Sequence, residues 1–335
     1  MTCNLCGEER LLVLVTGSRE ELGSQAKLTY RYCRRCSFVS QDADYSELLE
    51  QYARQWDGKS DQELRVYAVQ EMAQTWSVVD MVKQFWPNIM DGEGRTMVDV
   101  GAGAGGSLVA YRELGWRAVG IEPGLRQGEW ARETLNVEME TALYSMMSLP
   151  PASVDMIHCY HTLEHMERPY RMLRNFAYHA APGGMLYVET PNVRDTGRSH
   201  LNFEHVSMFS PSTLAGAIRA CGFDIVRVVH RRVDSEPGVF TAGVGVLALR
   251  RPHGEQPLID AEVDCIPPAL ISWRKDSFLK LKIGLHYALF TGQPRPSGSL
   301  ALRTVDTLAR MYVTNPRLKS LARAAADRWD PRRRR

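Results

Sequence analysis

The sequence predicts an α/β protein built on a doubly wound, Rossmann-like sheet, with a small cysteine-containing module before it and a basic, mainly helical extension after it. Three observations support this fold class. Strand-like and helix-like segments alternate from residue 97 to about 250, which is typical of a parallel sheet covered by helices. An apolar strand runs directly into a glycine-rich loop at residues 101–106. Two C-x-x-C pairs lie near the N-terminus, whereas Lys and Arg accumulate in residues 266–335.

The glycine-rich loop follows the strand at residues 97–100 and leads into a helix at Ser107. Glycine allows the backbone to turn sharply and allows a ligand to lie against bare main chain. The helix behind the loop presents unpaired N–H groups and a partial positive charge. These features predict a nucleotide-like ligand. The spacing Gly101-x-Gly103-x-x-Gly106 also satisfies the dinucleotide fingerprint, in which a pyrophosphate lies on the helix N-terminus.

Three further segments follow the loop along the chain. Residues 117–122 form a second predicted strand that ends in Glu122, and residues 153–165 form a third strand with the loop after it. Residues 181–192 contain a Pro-Gly-Gly turn before another strand. Together with Asp99-x-Gly101-x-Gly103-x-Gly105, these segments are similar in order and spacing to the class I S-adenosylmethionine-dependent methyltransferases.

The resemblance implies a role for each matching residue. An acid at the position of Asp99 lies near the methionyl amino group of the cofactor, where a dinucleotide site has no cation to meet. Glu122 would accept hydrogen bonds from the two ribose hydroxyls, although NAD sites use such an acid too. Because Glu140 comes too early to reach the adenine, Ala142 and Leu143 would contact it. The complete predicted cofactor set is Asp99, Gly101, Ala102, Gly103, Gly105, Glu122, Pro123, Tyr160 and His161.

The cysteine pairs predict a structural zinc site. In a chain without an evident export signal, paired C-x-x-C knuckles favour zinc over disulfides. Each knuckle can place two thiolates about 2.3 Å from one tetrahedral ion, and four thiolates leave no position open for catalysis. Strands predicted at residues 11–15 and 28–32 complete a small ribbon, which metal binding would help to fold. The predicted ligands are Cys3, Cys6, Cys33 and Cys36.

Four segments result from these patterns. Residues 1–45 are predicted to form the zinc-binding ribbon, and residues 46–95, where apolar side chains recur every three or four positions, a helical cofactor lid. Residues 96–250 form the predicted cofactor-binding core, whose last two strands pair as an antiparallel hairpin in the methyltransferase class. Residues 251–335 form the predicted basic helical extension, with helices at 278–285 and 300–308.

The predicted acceptor side lies in residues 200–210. This segment resembles the acceptor loop of sugar C-methyltransferases, which carry an N-terminal zinc module ahead of the same core. The resemblance implies that His205, together with Glu204, acts as the catalytic base, a task that suits an imidazole titrating near neutrality. Asn202 replaces a tyrosine of that group, and the C-terminal segment is too short for its second lobe. Methyl transfer to oxygen therefore stays open beside transfer to carbon, and the predicted acceptor is a nucleotide- or lipid-linked sugar or another small natural-product intermediate.

Near the third strand, Glu164 and His165 could be mistaken for an acid–base pair or, with His161, for a metal site. On a helix, His161 and His165 would share one face, so that metal binding is geometrically feasible. A Leu-Glu-His turn at this place is common in the class, however, and this favours a role in shaping the loop.

Charge is distributed unevenly. Residues 266–335 contain 15 Lys and Arg against 4 Asp, a net charge of +11, so that residues 1–265 carry −9. The basic helices would pack against the acidic core or contact an anionic membrane surface. Nucleic acid is disfavoured as a partner because no aromatic platform accompanies the charge. The oligomeric state is not predicted.

Composition limits the remaining classes. The contents of 44% hydrophobic and 24% charged residues are ordinary for a soluble protein. No apolar run approaches the roughly 20 residues needed to span a bilayer. No signal peptide is evident, which predicts a cytoplasmic location. The alternative functions are an NAD-dependent oxidoreductase and a zinc-ribbon protein that binds or modifies nucleic acid.

Overall fold

The fold is described from a computed structural model, which covers residues 2–18, 27–42, 44–144, 148–193, 204–236, 239–252 and 265–266. The chain divides into two units, Met1–Lys275 and Asp276–Arg335. The second unit, and with it the helices expected at residues 278–285 and 300–308, lies outside the described residues. In the described part, no helix combines the length and the apolar character that crossing a membrane requires.

The described strands and helices follow one another in the order that the alternating pattern predicts. They are β1 (Leu11–Ser18), β2 (Lys27–Cys33), β3 (Val39–Gln41), α1 (Tyr45–Asp57), α2 (Asp61–Val82), β4 (Thr96–Val100), α3 (Gly106–Glu113), β5 (Arg117–Glu122), α4 (Leu125–Trp130), β6 (Glu138–Thr141), β7 (Val154–Tyr160), α5 (Pro169–His179), β8 (Ala180–Pro191), β9 (Ser207–Met208), α6 (Pro211–Ala220), β10 (Phe223–Glu236) and β11 (Val239–Arg250). A 3₁₀-helix covers Pro87–Met90, another covers Leu163–His165, and a π-helical turn at Ala131–Leu135 extends α4.

Seven strands form the central sheet in the order β10-β11-β8-β7-β4-β5-β6. Strands β4 to β8 run parallel to one another, while β11 is antiparallel to both β8 and β10. The prediction of a Rossmann-like sheet with an antiparallel hairpin at its edge is confirmed. Strand order reverses between β4 and β7, and in such sheets ligands bind beyond the carboxyl ends of the strands at this point.

Both faces of the sheet are buried. Neighbouring residues on one strand belong to different apolar clusters: Met97 and Met156 pack on one side, and Val98 and Ile157 on the other. This double burial explains why the strands read as continuous apolar runs rather than as alternating patterns.

The Pro-Gly-Gly turn is an exception to the predicted element bounds. We expected a turn at residues 181–184 before the strand, but β8 already begins at Ala180. Gly183 retains the positive φ of 76° that a turn requires, and the pairing of β7 with β8 shifts register between Val154 and Met156. The extended backbone therefore continues through an irregularity at this point.

A second, smaller sheet has the order β1-β2-β3-β9. The sequence predicts β1 and β2, but it does not indicate that β9, which lies within the predicted acceptor loop, pairs with β3 of the ribbon. Val39 lies opposite Met208 and Ser40 opposite Ser207, while the Gln41 N–H donates to the carbonyl of Val206 at 3.0 Å. The ribbon and the acceptor loop are thus parts of one sheet.

The expected helices of residues 46–95 are present as α1 and α2. Asp44 caps α1 by accepting from the N–H groups of Ser46 and Glu47, and Ser60 and Glu63 form a capping box at the start of α2. Helix α2 packs closely on the glycine loop. The approach is so close that a Cβ at Gly106 would collide with the carbonyl oxygen of Ala68. This contact places α2 over the edge of the sheet where the ligand is expected.

Candidate active site

Glu122, the last residue of β5, holds the glycine loop in place. One carboxylate oxygen accepts from the N–H of Gly103 at 2.9 Å, and the other accepts from the N–H of Gly124 at 2.8 Å and the hydroxyl of Tyr52 at 3.0 Å. The side chain is buried. Burial raises the pKa of Glu122 to about 7, although these hydrogen bonds act in the opposite direction. The carboxylate therefore titrates near neutral pH.

Glu71 on α2 is a site residue that sequence reasoning missed. Its carboxylate accepts from the N–H of Ala104 and from the N–H of Gly106, both at 3.0 Å. Burial raises the pKa of Glu71 to about 8. Glu71 thus occupies the N–H groups at the start of α3, on which the pyrophosphate of a dinucleotide would lie. A phosphate at this place would face a carboxylate instead of free donors.

Asp99 lies at the carboxyl end of β4 and is buried. Its carboxylate accepts from the hydroxyl of Ser107, the second residue of α3, and lies 2.9 Å from Nδ1 of His158. The ring of His158 lies nearly parallel to those of Tyr160 and Tyr187 at centroid distances of 6.0 and 5.7 Å. The aromatic stack fixes the imidazole and thereby the orientation of the Asp99 carboxylate.

Two cavities open at this edge of the sheet. The smaller, of about 310 Å³, is lined by Glu122, Ala142 and Leu143 and by Tyr52 of α1. The larger, of about 650 Å³, is lined by Asp99. Together the cavities are lined by all predicted cofactor and base residues except Gly105, which lies beside Ala131. The residues that line the smaller cavity are Gly101, Gly103, Glu122, Pro123, His161 and Glu204. Those that line the larger are Asp99, Gly101, Ala102, Tyr160, His161 and His205.

His161 stands between two buried carboxylates. Its Nδ1 lies 3.3 Å from Glu164, and its Nε2 lies 3.6 Å from Glu189. Burial by itself lowers the pKa of His161, but the two carboxylates outweigh this effect and raise the pKa to about 9. The residue also has a positive φ of 50°. Since Glu189 also pairs with Arg231 at 3.3 Å, a chain of alternating charges runs beneath the cavities.

The predicted acceptor residues lie beside this chain of charges. Nδ1 of His165 is 2.9 Å from the backbone carbonyl of Glu204, and the rings of His165 and His205 are 5.2 Å apart. The structure therefore places His205 and Glu204 next to the loop that follows β7. Asn202 lies outside the described residues.

The two cysteine knuckles come together as predicted. Gly7 and Ser37, each directly after a knuckle, have φ of 69° and 62°, and their N–H groups donate to Cys3 and Cys33 at 2.9 and 3.0 Å. The Sγ atoms of Cys3 and Cys36 lie 3.7 Å apart, and those of Cys6 and Cys33 lie 3.5 Å apart. All four sulfur atoms, from Cys3, Cys6, Cys33 and Cys36, are buried and lie within 4.8 Å of one another. This donor set fits a tetrahedral Zn²⁺ ion.

Sequence reasoning could not find Glu71 or Glu189. Glu71 is one of several acids on a polar helix, and Glu189 is a single acid in an apolar strand. Neither belongs to a motif of glycines or cysteines. Only the packing of α2 on the loop and of β8 beside β7 brings these carboxylates to the site.

Comparison with known proteins adds a family match. Residues 69–228, just under half of the chain, match the family model of a methyltransferase domain. None of the curated protein sequences matches the chain. The chain is also similar to solved S-adenosylmethionine-dependent methyltransferases. One from Thermotoga maritima is 19% identical over 62% of this chain and 100% of its own, with a TM-score of 0.45. One from Aquifex aeolicus is 22% identical over 57% and 99%, with a TM-score of 0.43.

The matched segment begins on α2, two residues before Glu71, and ends within β10. It contains the glycine loop and all predicted cofactor and base residues, whereas α1, whose Tyr52 lines the smaller cavity, lies outside it. Sheet order, loop and family match together support a methyltransferase domain of the class I, S-adenosylmethionine-dependent type. S-adenosylmethionine-dependent methyl transfer is the general activity that they support.

Proposed function

We propose that this protein transfers a methyl group from S-adenosylmethionine to a sugar, nucleotide- or lipid-linked, or to another small natural-product intermediate. The observation that carries the proposal is the pair of carboxylates on the glycine loop. Glu122 is oriented by main-chain N–H groups as a ribose-diol acceptor, and Glu71 takes the N–H groups that a pyrophosphate would need. This arrangement favours S-adenosylmethionine over the alternative cofactor NAD.

The cofactor supplies a methyl group on a cationic sulfur when bound. Glu122 would hold the ribose, Ala142 and Leu143 would contact the adenine, and Asp99 would face the methionyl ammonium group. Tyr160 and His161 would border the methionyl end. Since the sulfonium is already reactive, the residues contribute mainly by orienting donor and acceptor for in-line transfer.

His205, together with Glu204, would receive the proton of the acceptor, whether the methylated atom is carbon or oxygen. His205 lines the larger cavity and Glu204 the smaller, so that both residues reach the space between cofactor and acceptor. The cysteine cluster would hold structural zinc. Through β3 and β9, this zinc would support the chain segment that carries both residues.

Calorimetry with S-adenosylhomocysteine on ligand-stripped protein tests the cofactor assignment. We expect binding by the wild type and a loss of at least about tenfold in affinity for Glu122→Ala, because the ribose hydroxyls lose their acceptor. Glu138→Ala, which removes an exposed carboxylate on β6, serves as the control. Binding of NADH without binding of S-adenosylhomocysteine would establish the oxidoreductase alternative instead.

The acceptor is identified by a turnover screen. Nucleotide-linked sugars that offer either a ketone next to an acidic C–H or a free hydroxyl are incubated with S-adenosylmethionine, and mass spectrometry detects the methylated product. His205→Ala is expected to lower kcat by about 10²–10⁴-fold, the usual contribution of a positioned base. Undiminished turnover of this variant would remove His205 from the catalytic assignment.

A further inference from the structure

We propose a second metal site in this protein, in which Glu164, His165 and His205 bind a divalent transition-metal ion at the acceptor side of the cavity. A carboxylate oxygen and one ring nitrogen from each histidine lie within 4.8 Å of one another. Sequence spacing favours a loop-shaping role for the Leu-Glu-His turn. His205 comes from a distant part of the chain, and only the fold adds it as a third ligand.

The hydrogen bond of His165 fixes which of its nitrogens can bind a metal. A backbone carbonyl can only accept, so that Nδ1 of His165 must carry the proton and donate it to Glu204 at 2.9 Å. Nε2 then presents its lone pair. Histidines that bind metals in proteins are usually oriented by such a second hydrogen bond to a carbonyl or carboxylate. The tautomer of His165 is thus already that of a ligand.

Glu164 provides the independent observation. Its side chain is only 1% exposed, and neither of its oxygens accepts a hydrogen bond from a described residue. One oxygen faces Nδ1 of His161 at 3.3 Å as an ion pair. A buried carboxylate without hydrogen bonds is costly unless a cation compensates it. His161 faces one carboxylate oxygen of Glu164. A metal ion between Glu164 and the other two histidines would bind the carboxylate as well and compensate its burial.

The donor set determines the class of ion. Two imidazoles and one carboxylate suit Mn²⁺, Fe²⁺ or Zn²⁺, and three protein ligands leave coordination positions open. His165 borders the smaller cavity and His205 the larger, so that the open positions face the space where the acceptor would lie. The proposed centre differs in this respect from the cysteine cluster, whose four thiolates complete a tetrahedron.

The ion would select an acceptor that offers an oxygen ligand. This consequence, though not the site itself, rests on the proposed function. Bound to the ion, an acceptor hydroxyl is acidified, and its proton passes to the carboxylate of Glu204. The oxygen then forms a bond to the methyl carbon while the carbon–sulfur bond breaks and leaves its electron pair on sulfur. In this form of the reaction, His205 positions the ion and Glu204 is the base.

Mn²⁺ titration followed by electron paramagnetic resonance tests the site on the full-length, zinc-containing protein. Mn²⁺ is a suitable probe because thiolate clusters disfavour it. We expect one Mn²⁺ site in the wild type and a loss of at least about 100-fold in Mn²⁺ affinity for Glu164→Gln and for His165→Ala. The loss of a residue that only supports a ligand costs about 10–100-fold, so that a loss of this size indicates a direct ligand. His230→Ala, an exposed histidine on β10, is the matched control and should bind as the wild type does.

S-adenosylhomocysteine calorimetry on the same variants separates this proposal from the proposed function. Retained cofactor binding together with lost Mn²⁺ binding supports the site and shows that the variants are folded. A wild type that binds S-adenosylhomocysteine but no Mn²⁺, or a Glu164→Gln variant that binds Mn²⁺ like the wild type, overturns the metal site and leaves the methyltransferase proposal intact. Mn²⁺ binding without cofactor binding would support the metal site and contradict the methyltransferase proposal.

Discussion

Individual carboxylates define the chemistry of this site. Glu71, Asp99 and Glu122 surround the glycine loop, and main-chain N–H groups rather than cationic side chains hold Glu71 and Glu122. Such an environment attracts the cationic S-adenosylmethionine more strongly than its neutral product, which helps product release. The pKa values of Glu71 and Glu122 are both raised toward neutrality by burial, and we therefore expect cofactor binding to depend on pH.

The affinity for S-adenosylhomocysteine is expected to rise with pH. Glu122, whose pKa lies at about 7 in the free protein, is protonated below this value and accepts poorly from a diol. Binding favours the ionised form, so that affinity falls by up to about tenfold per pH unit below pH 7 and levels off above it. Calorimetry between pH 6 and 8.5 measures this dependence. Glu122→Gln should flatten it around pH 7, and an unchanged slope in that variant would contradict the assignment.

Gly103→Ala is expected to damage the cofactor site beyond its cost in backbone strain. Gly103 has a φ of 54°, and a Cβ there would collide with the carboxylate of Glu71. Gly183→Ala is the matched control, since Gly183 has a φ of 76° but no neighbour within 4 Å of the added carbon. Both variants should lose roughly 1–2 kcal/mol of unfolding free energy in urea. Only Gly103→Ala should also weaken S-adenosylhomocysteine binding. Equal binding by the two variants would show that the Glu71 side chain moves away from the added Cβ without affecting the site.

At the scale of secondary structure, the pairing of β3 with β9 links the cysteine ribbon to the acceptor segment. Phe38 of the ribbon packs edge-on against Phe209 at a centroid distance of 5.1 Å, and the hydroxyl of Thr213 in α6 donates to the carbonyl of Cys36 at 3.1 Å. The ribbon is therefore part of the support for His205, and its metal would act on the active site through the backbone.

Removal of zinc is expected to loosen the acceptor segment selectively. Hydrogen exchange of residues 204–210 should accelerate when a chelator strips the cysteine cluster, because the bond from Gln41 to Val206 and the pairing of β3 with β9 depend on the ribbon. Residues 117–122, which form an interior strand of the other sheet, should keep their protection. Parallel deprotection of both segments would mean that zinc stabilises the whole domain rather than this part of it.

At the scale of the whole molecule, charge and site are separated along the chain. All described site residues belong to the unit Met1–Lys275, whereas 15 Lys and Arg lie in residues 266–335. The charge of this basic segment suits an anionic membrane surface, as a lipid-linked acceptor would require.

Deletion of residues 276–335 is expected to leave S-adenosylhomocysteine affinity within about threefold of the wild type, a change of about 0.7 kcal/mol, because all predicted cofactor residues belong to the unit Met1–Lys275. Co-sedimentation with vesicles containing phosphatidylserine should fall on deletion and at high salt, because it depends on the basic residues. Salt-independent binding, or equal binding by both forms, would contradict the membrane role of this segment.

The sequence predicted the parts of the site that local backbone requirements impose. Gly101 and Gly103 need positive φ, and the cysteines need fixed spacing. Residues such as Glu71 and Glu164 carry no such requirement. Their importance depends on which main-chain groups or side chains lie opposite them, and these come from distant positions in the chain.

By itself the sequence determined the order of strands and helices, the glycine loop, the acid at the end of β5 and the cysteine cluster, because each depends on residues close together in the chain or on a repeated spacing. Tertiary structure alone decided the placement of Glu71 on the loop, the pairing of the ribbon with β9, and the meeting of His205 with Glu164 and His165. These contacts join residues 33 or more positions apart, and no local preference specifies them; packing of the completed sheet does.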